Sequence, residues 1–322
     1  MGRMAVVALL MGLCLTFASA SHQEDEAIAK LNQQGHSIRP LVESNAVKTL
    51  LDQVRSLPSI TPRTLWFRRD PRSALLPVEY DRLDEDERST YREMVFDTTR
   101  YYETFYGTPI AAMRALDVAA DQGSIDSFQG RRILDIGYGS IGQLKLLAQV
   151  GADVVGVEVE LLLKTLYGFE GDQGSIPNPD GHQGKVRLVH GFWPRDIGEE
   201  VGGDFDLIYS KNTLKKGYVT PEQPNARGVD LSVTPDQYLE AIHDSLNPNG
   251  LFLIYNIGPG PGPDGHGVDD EGEAIYMHMA DIRCPFSQAL IDKAGFEVIA
   301  FNINDSAMIR TYGHAFGWDD PE

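Results

Sequence analysis

The chain has 322 residues, with 28 Lys and Arg against 47 Asp and Glu, for a formal charge of −19. A hydrophobic content of 42% with 9% aromatics excludes collagen-like, low-complexity and polytopic membrane architectures. The acidic balance repels phosphate backbones and anionic lipid, and the densest basic cluster, Arg68, Arg69 and Arg72, is interrupted by Asp70, so nucleic acid is not an expected partner.

Residues 1–20 read as an export signal. Arg3 supplies the positive start, residues 5–18 are apolar, and Ala18-Ser19-Ala20 is a small-x-small cleavage pattern that would leave Ser21 first. The apolar run is shorter than the ~20 residues that span a bilayer, so export is favoured and a permanent N-terminal anchor is the alternative. No stable membrane insertion is expected after cleavage. Cys14 would leave with the signal and Cys284 would remain, so no disulfide within the chain is expected. Cys284 precedes Pro285 at a predicted helix start, a position that can lower a thiol pKa, although packing is its commoner use.

Residues 21–108 are predicted to form a helical N-terminal region, ahead of an α/β domain over 109–322. Two short amphipathic stretches are separated by Gly35 and Pro40, and a Pro-rich passage over 58–77 is predicted irregular. Between 84 and 106, Tyr91, Met94, Val95, Thr98, Tyr101, Tyr102 and Phe105 recur at three- and four-residue steps, predicting one helix with a buried face. Gly107 would stop it, and Thr108-Pro109 would cap the next.

Beyond residue 130 the pattern becomes strands alternating with helices. Strands are predicted over 131–136, 153–159, 185–190, 205–209 and 251–257, each dense in Val, Ile and Leu, with helices over 143–150, 161–167 and 235–246. Such a βαβ series makes a doubly wound, mostly parallel sheet. Toward the end a helix over 287–294 precedes strands over 296–303 and 307–312, joined by Asn304-Asp305-Ser306, which predicts an antiparallel hairpin.

The first of the parallel strands runs into Asp135-Ile136-Gly137-Tyr138-Gly139-Ser140-Ile141-Gly142, which opens a helix. Glycines there let a backbone approach a ligand, and free amides at the helix start favour polar groups. Read literally, Gly137, Gly139 and Gly142 form G-x-G-x-x-G, the dinucleotide fingerprint. Asp135 weighs against that reading, because its carboxylate would oppose a pyrophosphate and suits an ammonium instead.

This loop, with Glu158 closing the next strand, resembles class I S-adenosylmethionine-dependent methyltransferases, over roughly residues 109–314. The resemblance implies a Rossmann-like, seven-stranded sheet ending in an antiparallel hairpin, with S-adenosylmethionine as cofactor. It places Gly137, Tyr138, Gly139 and Gly142 under the amino acid end of that cofactor, Asp135 near its ammonium, and Glu158 on the ribose hydroxyls. Where the family often has an acid at the adenine, this chain has Gly191-Phe192-Trp193, so Phe192 or Trp193 is a candidate to stack on or wall the base, with core packing an equal reading of either ring. The fourth strand runs into Ser210-Lys211-Asn212-Thr213, which the resemblance turns toward cofactor and substrate. Lys211 or Tyr209 is then a candidate base or clamp and Asn212 an orienter, with a solvated surface charge as the plainer reading of the lysine.

No metal is expected. His266, Asp269, Asp270, Glu271, His278 and Asp281 match no zinc spacing, and their Gly/Pro-rich loop reads as a solvated lid. Loops 168–184 and 256–283 are long enough to cover a site. The expected function is methyl transfer to a small molecule or an exposed protein group. The alternatives are an NAD(P)-dependent oxidoreductase and a secreted, non-catalytic ligand-binding protein on the same fold.

Overall fold

A computed structural model describes residues 26–177, 181, 183–219, 229–257 and 282–316. The export signal, most of loop 256–283 and the histidines and acids of that loop lie outside the described residues.

The N-terminal region begins with α1 (Glu26–Ile38) and α2 (Asn45–Gln53), and Ser44 caps α2 by accepting from Val47 N. Gly35 lies inside α1 and does not end it. The segment after α2 departs from the helical expectation. β1 (Arg63–Arg69) and β2 (Arg72–Leu75) form a hairpin within the passage read as irregular, with Asp70 and Pro71 at its turn. The prolines of that passage fall in the turn and the flanks, where no ladder hydrogen bond is needed. The single helix expected over 84–106 is α4 (Glu85–Arg88), β3 (Arg92–Phe96) and α5 (Thr98–Tyr102), preceded by α3 (Pro77–Tyr80). Asp84 and Asp97 explain the division, since each accepts a hydrogen bond from an amide three residues on and so starts a new helix. β3 pairs antiparallel with β1, giving a three-stranded sheet in the order β2-β1-β3.

A 3-10 turn over Ile110–Ala112 leads into α6 (Met113–Gln122). Pro109 stands at the cap of this turn, and the Thr108 hydroxyl makes no capping bond. The α/β series continues with β4 (Arg132–Ile136), α7 (Gly142–Gln149), β5 (Asp153–Glu158), α8 (Leu161–Leu166), β6 (Gly174–Pro177) and β7 (Gln183–His190). It ends with α9 (Gly198–Val201), β8 (Phe205–Lys211), α10 (Lys216–Val219), α11 (Pro235–Ser245) and β9 (Leu246–Tyr255), then α12 (Gln288–Lys293) and α13 (Ser306–Phe316). Thr234 and Gln237 form a capping box on α11, at the Thr-Pro pair that marks its start in the sequence.

The main sheet has the order β6-β7-β5-β4-β8-β9 and is parallel except for β6. It therefore has six strands among the described residues. The expected C-terminal hairpin is not formed: residues 307–312 lie in α13, and no strand is present over 296–303. Met308, Tyr312 and Phe316 recur at four-residue steps and pack on the core, which is the period of a helix. Asp305 anchors the start of α13 through a bidentate pair with Arg114 (2.8 and 3.0 Å) and a 2.6 Å bond from the Tyr255 hydroxyl. The antiparallel strand of the sheet is instead β6, inside the loop expected as a lid over 168–184.

Side-chain alternation along the strands sends Leu134, Ile136 and Ile208 to one face, against Leu239 and Ile242 of α11. Ile133, Leu207 and Tyr209 face the other way, into a core shared with α7 and with Leu50, Val54, Leu65, Tyr101 and Tyr102 of the N-terminal region. All eight residues of α7 are buried, including Gln143, Lys145 and Gln149, because the sheet covers one side and the N-terminal region the other. A buried ion pair ties the two regions: Arg63 of β1 binds Asp172 at 2.7 and 2.9 Å, and the Tyr101 hydroxyl donates to the same carboxylate at 2.6 Å. No helix of the described residues is long and apolar enough to cross a membrane.

Candidate functional site

In a doubly wound sheet, ligands bind outside the carboxyl ends of the strands at the point where strand order reverses. Here β5 and β7 lie to one side of β4, and β8 and β9 to the other, so the crevice lies between the ends of β4 and β8. The glycine loop leaves β4 at this point. Gly137 and Gly139 have φ of +73° and +60°, a region that residues with a Cβ rarely adopt. A Cβ on Gly137 would lie 2.0 Å from Thr213 Oγ1, and one on Gly139 would lie 2.9 Å from the Tyr106 carbonyl oxygen. Both glycines therefore serve close approach of neighbouring chain as well as the turn. Gly142 is packed in the same way, with Pro109 and Tyr102 against it.

Asp135 and Tyr209 are register partners on β4 and β8 and point to the same face. The Tyr209 hydroxyl donates to Asp135 Oδ2 at 2.6 Å, and Gln143 Nε2 donates to the same oxygen at 3.1 Å and to the Tyr138 carbonyl at 2.6 Å. Burial raises the Asp135 pKa to about 6, against the pull of these two donors and of the Lys211 charge. Lys211, one register step further out on that face, is half-buried, and its pKa is lowered by burial with Asp135 opposing. Its ammonium makes no hydrogen bond or ion pair among the described residues.

Together with Tyr106, Gly107 and Thr108 of the N-terminal region and Ala112 of the 3-10 turn, Asp135, Gly137, Tyr138, Gln143, Tyr209 and Lys211 line a small polar pocket. Two of its buried atoms, Thr108 Oγ1 and Gln143 Oε1, have no partner. The strap over the glycine loop is held by Thr104 Oγ1 donating to the Gly139 carbonyl at 2.6 Å and by the Tyr106 hydroxyl donating to Glu160 at 2.8 Å. Glu160 also pairs with Arg72 of β2. A wider depression lined by Ser124, Asp126, Arg131 and Asp206 lies at the opposite edge of the strands, away from this loop.

Glu158, at the end of β5, accepts from Val159 N at 2.8 Å and Glu160 N at 3.2 Å through Oε1, and from Gly139 N at 3.4 Å through Oε2. Burial raises its pKa while these amides lower it. Beside it the Tyr138 hydroxyl and His190 Nε2 are 3.3 Å apart, and burial pushes His190 down to about 4, so its ring is neutral near pH 7. Gly191 donates its amide to the Glu158 carbonyl, Phe192 is half-buried under the Arg195 guanidinium, and Trp193 is buried edge-on to Tyr238.

The remaining candidates are committed to the protein itself. Ser210 Oγ accepts from Leu214 N, and Asn212, at φ +65°, accepts from Ile257 N at 2.6 Å and donates its amide to the Tyr255 carbonyl. Burial raises the Cys284 pKa, where the helix start suggested lowering, because α12 begins four residues later and Ser287 is its cap. The sequence did not single out Thr108, Gln143, Tyr106 or His190 for this site. The only signal was the polar Gln143 one step after the last glycine.

A glycine loop at the switch point, a carboxylate before it and another at the end of the next strand give the chain its resemblance to class I S-adenosylmethionine-dependent methyltransferases. No family model matches the sequence. A curated relative, the ubiquinone biosynthesis O-methyltransferase of Ruegeria pomeroyi, is 27% identical over 143 residues, which is 44% of this chain and 47% of that protein. The match thus spans about half the length of the relative. Among solved structures, an S-adenosylmethionine-dependent methyltransferase from Mesorhizobium loti aligns over 66% of this chain and 94% of its own, with 18% identity and a TM-score of 0.35. The [4+2]-cyclase SpnF aligns over 68% of this chain and 71% of its own, with 17% identity and a TM-score of 0.33.

Proposed function

We propose that this protein is an S-adenosylmethionine-dependent methyltransferase whose acceptor is a small molecule or an exposed protein group. The observation that carries the reading is the polar pocket at the β4/β8 switch point, whose unpartnered Gln143 Oε1 and adjoining Asp135 form an acceptor pair suited to an ammonium group. The residues fit the cofactor's other parts as well. Glu158 Oε2 is engaged only by a long contact from Gly139, which leaves it able to accept from ribose hydroxyls. Gly191 and Phe192 follow β7 at the adenine side, and the positive-φ glycines allow backbone to lie close to the ligand.

The bound cofactor would supply an electrophilic methyl group, and the work of this chain is to align it. The name of the curated relative favours an oxygen as the accepting atom. Export is proposed on residues 1–20, with N-terminal sequencing of the native protein as its check: Ser21 first supports cleavage, and retained Met1 overturns it.

Calorimetric titration with S-adenosylhomocysteine, the demethylated product, and with NAD tests the reading. Micromolar binding of the first with no heat from NAD is expected. Binding of NAD alone, or silence from both, overturns it.

A further inference from the structure

The pocket holds more than an ammonium site. Lys211 Nζ has no hydrogen-bond or ion-pair partner among the described residues, although the lysine is half-buried and stands at the end of β8 on the pocket face. Asp135, the nearby acid, is already bonded by the Tyr209 hydroxyl and the Gln143 amide. Across the pocket, Thr108 Oγ1 is buried and unpartnered. Two donors without acceptors and one acceptor without a donor, Gln143 Oε1, therefore border one small space. A single water would satisfy the threonine and the glutamine, but it would leave a partly desolvated ammonium with no anionic acceptor bonded to it and only the nearby charge of Asp135 opposing its burial, which is costly. A carboxylate accepting from both Lys211 and Thr108 removes that cost, and an ammonium on the same ligand satisfies Gln143 and Asp135.

We infer that Lys211 and Thr108 recognise the α-carboxylate of the cofactor's amino acid end, making Lys211 a positioning residue for the cofactor and not the base of the reaction. The inference rests on the methyltransferase reading and specifies which end of the ligand this pocket takes. It also explains why the strap carrying Tyr106, Gly107 and Thr108 closes over the glycine loop, since the strap brings the second donor.

The test compares two thioether nucleosides by calorimetry: S-adenosylhomocysteine, and 5′-methylthioadenosine, which lacks the amino acid end. In Lys211→Met, binding of S-adenosylhomocysteine is expected to weaken about 10- to 100-fold, the range for a lost charge-assisted hydrogen bond, with 5′-methylthioadenosine unchanged. Lys211→Arg keeps the charge and is expected to restore part of the loss. Thr108→Val, close in volume, is expected to show the same selectivity with a smaller effect, and it decides the matter if Lys211→Met does not fold. Equal losses for both nucleosides, or no loss for S-adenosylhomocysteine, overturn the inference while leaving the cofactor assignment intact. A wild-type protein that binds neither nucleoside overturns both.

Discussion

Asp135 shows how far surroundings decide what a residue can do. Its position before the glycines was legible in the sequence, and so was the preference of a carboxylate for an ammonium over a pyrophosphate. The bond from Tyr209 was not, because it depends on the register of β4 against β8. Complete burial raises the carboxyl pKa from 3.8 to about 6, so the folded protein holds this proton more tightly than the unfolded chain does. The stabilisation from that proton is present at low pH and is lost as pH rises through about 6. Asp135→Asn keeps the acceptor for Tyr209 but has no proton to lose. Its unfolding free energy in urea, relative to wild type, should therefore rise by about 1 kcal/mol between pH 5 and 7.5. A difference that stays flat across that range would show that Asp135 titrates normally. The same dependence on distant chain hid Thr108, read as a helix cap, and Gln143, placed only as the first residue of a helix. Lys211 was visible as a candidate, but its lack of a partner was not.

At the scale of elements, pattern succeeded where a segment's own apolar run marks its type, and failed where prolines or a misleading period masked it. β4, β5, β7 and β8 are apolar on both sides and were found within two residues, as were α7, α8 and α11, whereas β9 starts five residues before the strand expected over 251–257. In the three-stranded sheet, β1 and β2 were missed because their passage is rich in proline, and β3 because Tyr91, Met94, Thr98, Tyr101 and Tyr102 mimic a helical stripe across what is a strand and a separate helix. The expected hairpin failed for the converse reason: the four-residue steps of Met308, Tyr312 and Phe316 were hidden by the β-rich look of the preceding stretch. The anchor of the small sheet is also non-local. Arg63 of β1 lies between the rings of Tyr101 and Phe169 while it binds Asp172, whose side chain is 2% exposed. Removing one partner of such a pair leaves the other charge buried and uncompensated. Asp172→Asn is expected to cost about 3 kcal/mol in urea unfolding, and the double variant Arg63→Met, Asp172→Leu is expected to recover part of it. A double variant as unstable as the sum of the singles would show that the pair acts through packing and not through charge.

For the molecule as a whole, the chemistry of the site and the stability of the fold share one wall. The core on one face of the main sheet is continuous from Leu31, Leu50 and Val54 through Tyr101 and Tyr102 to Leu144, Leu147 and Leu207, with α13 packed at its margin. The same N-terminal region supplies Tyr106, Gly107 and Thr108 to the pocket. The boundary at residue 108 came from the extent of the family resemblance, which does not measure whether apolar surface crosses it. Without the N-terminal region, the outer side of α7, where Tyr102 packs on Gly142 and Gln149 bonds the Ser56 carbonyl, would lose much of its cover, and each apolar side chain of the shared core is worth about 1.5–3 kcal/mol when buried. Several of these together are comparable with the whole stability of an ordinary domain, about 5–15 kcal/mol. A chain beginning at residue 109 is therefore expected to show no cooperative urea transition and to bind a hydrophobic dye such as ANS, whereas the chain from residue 21 should unfold in a single step. A cooperative transition in the shortened chain would mean that the α/β layer holds itself together. The N-terminal region would then be a separable cover on the pocket, and the loss of S-adenosylhomocysteine affinity in that chain would measure what Thr108 and its strap contribute to binding.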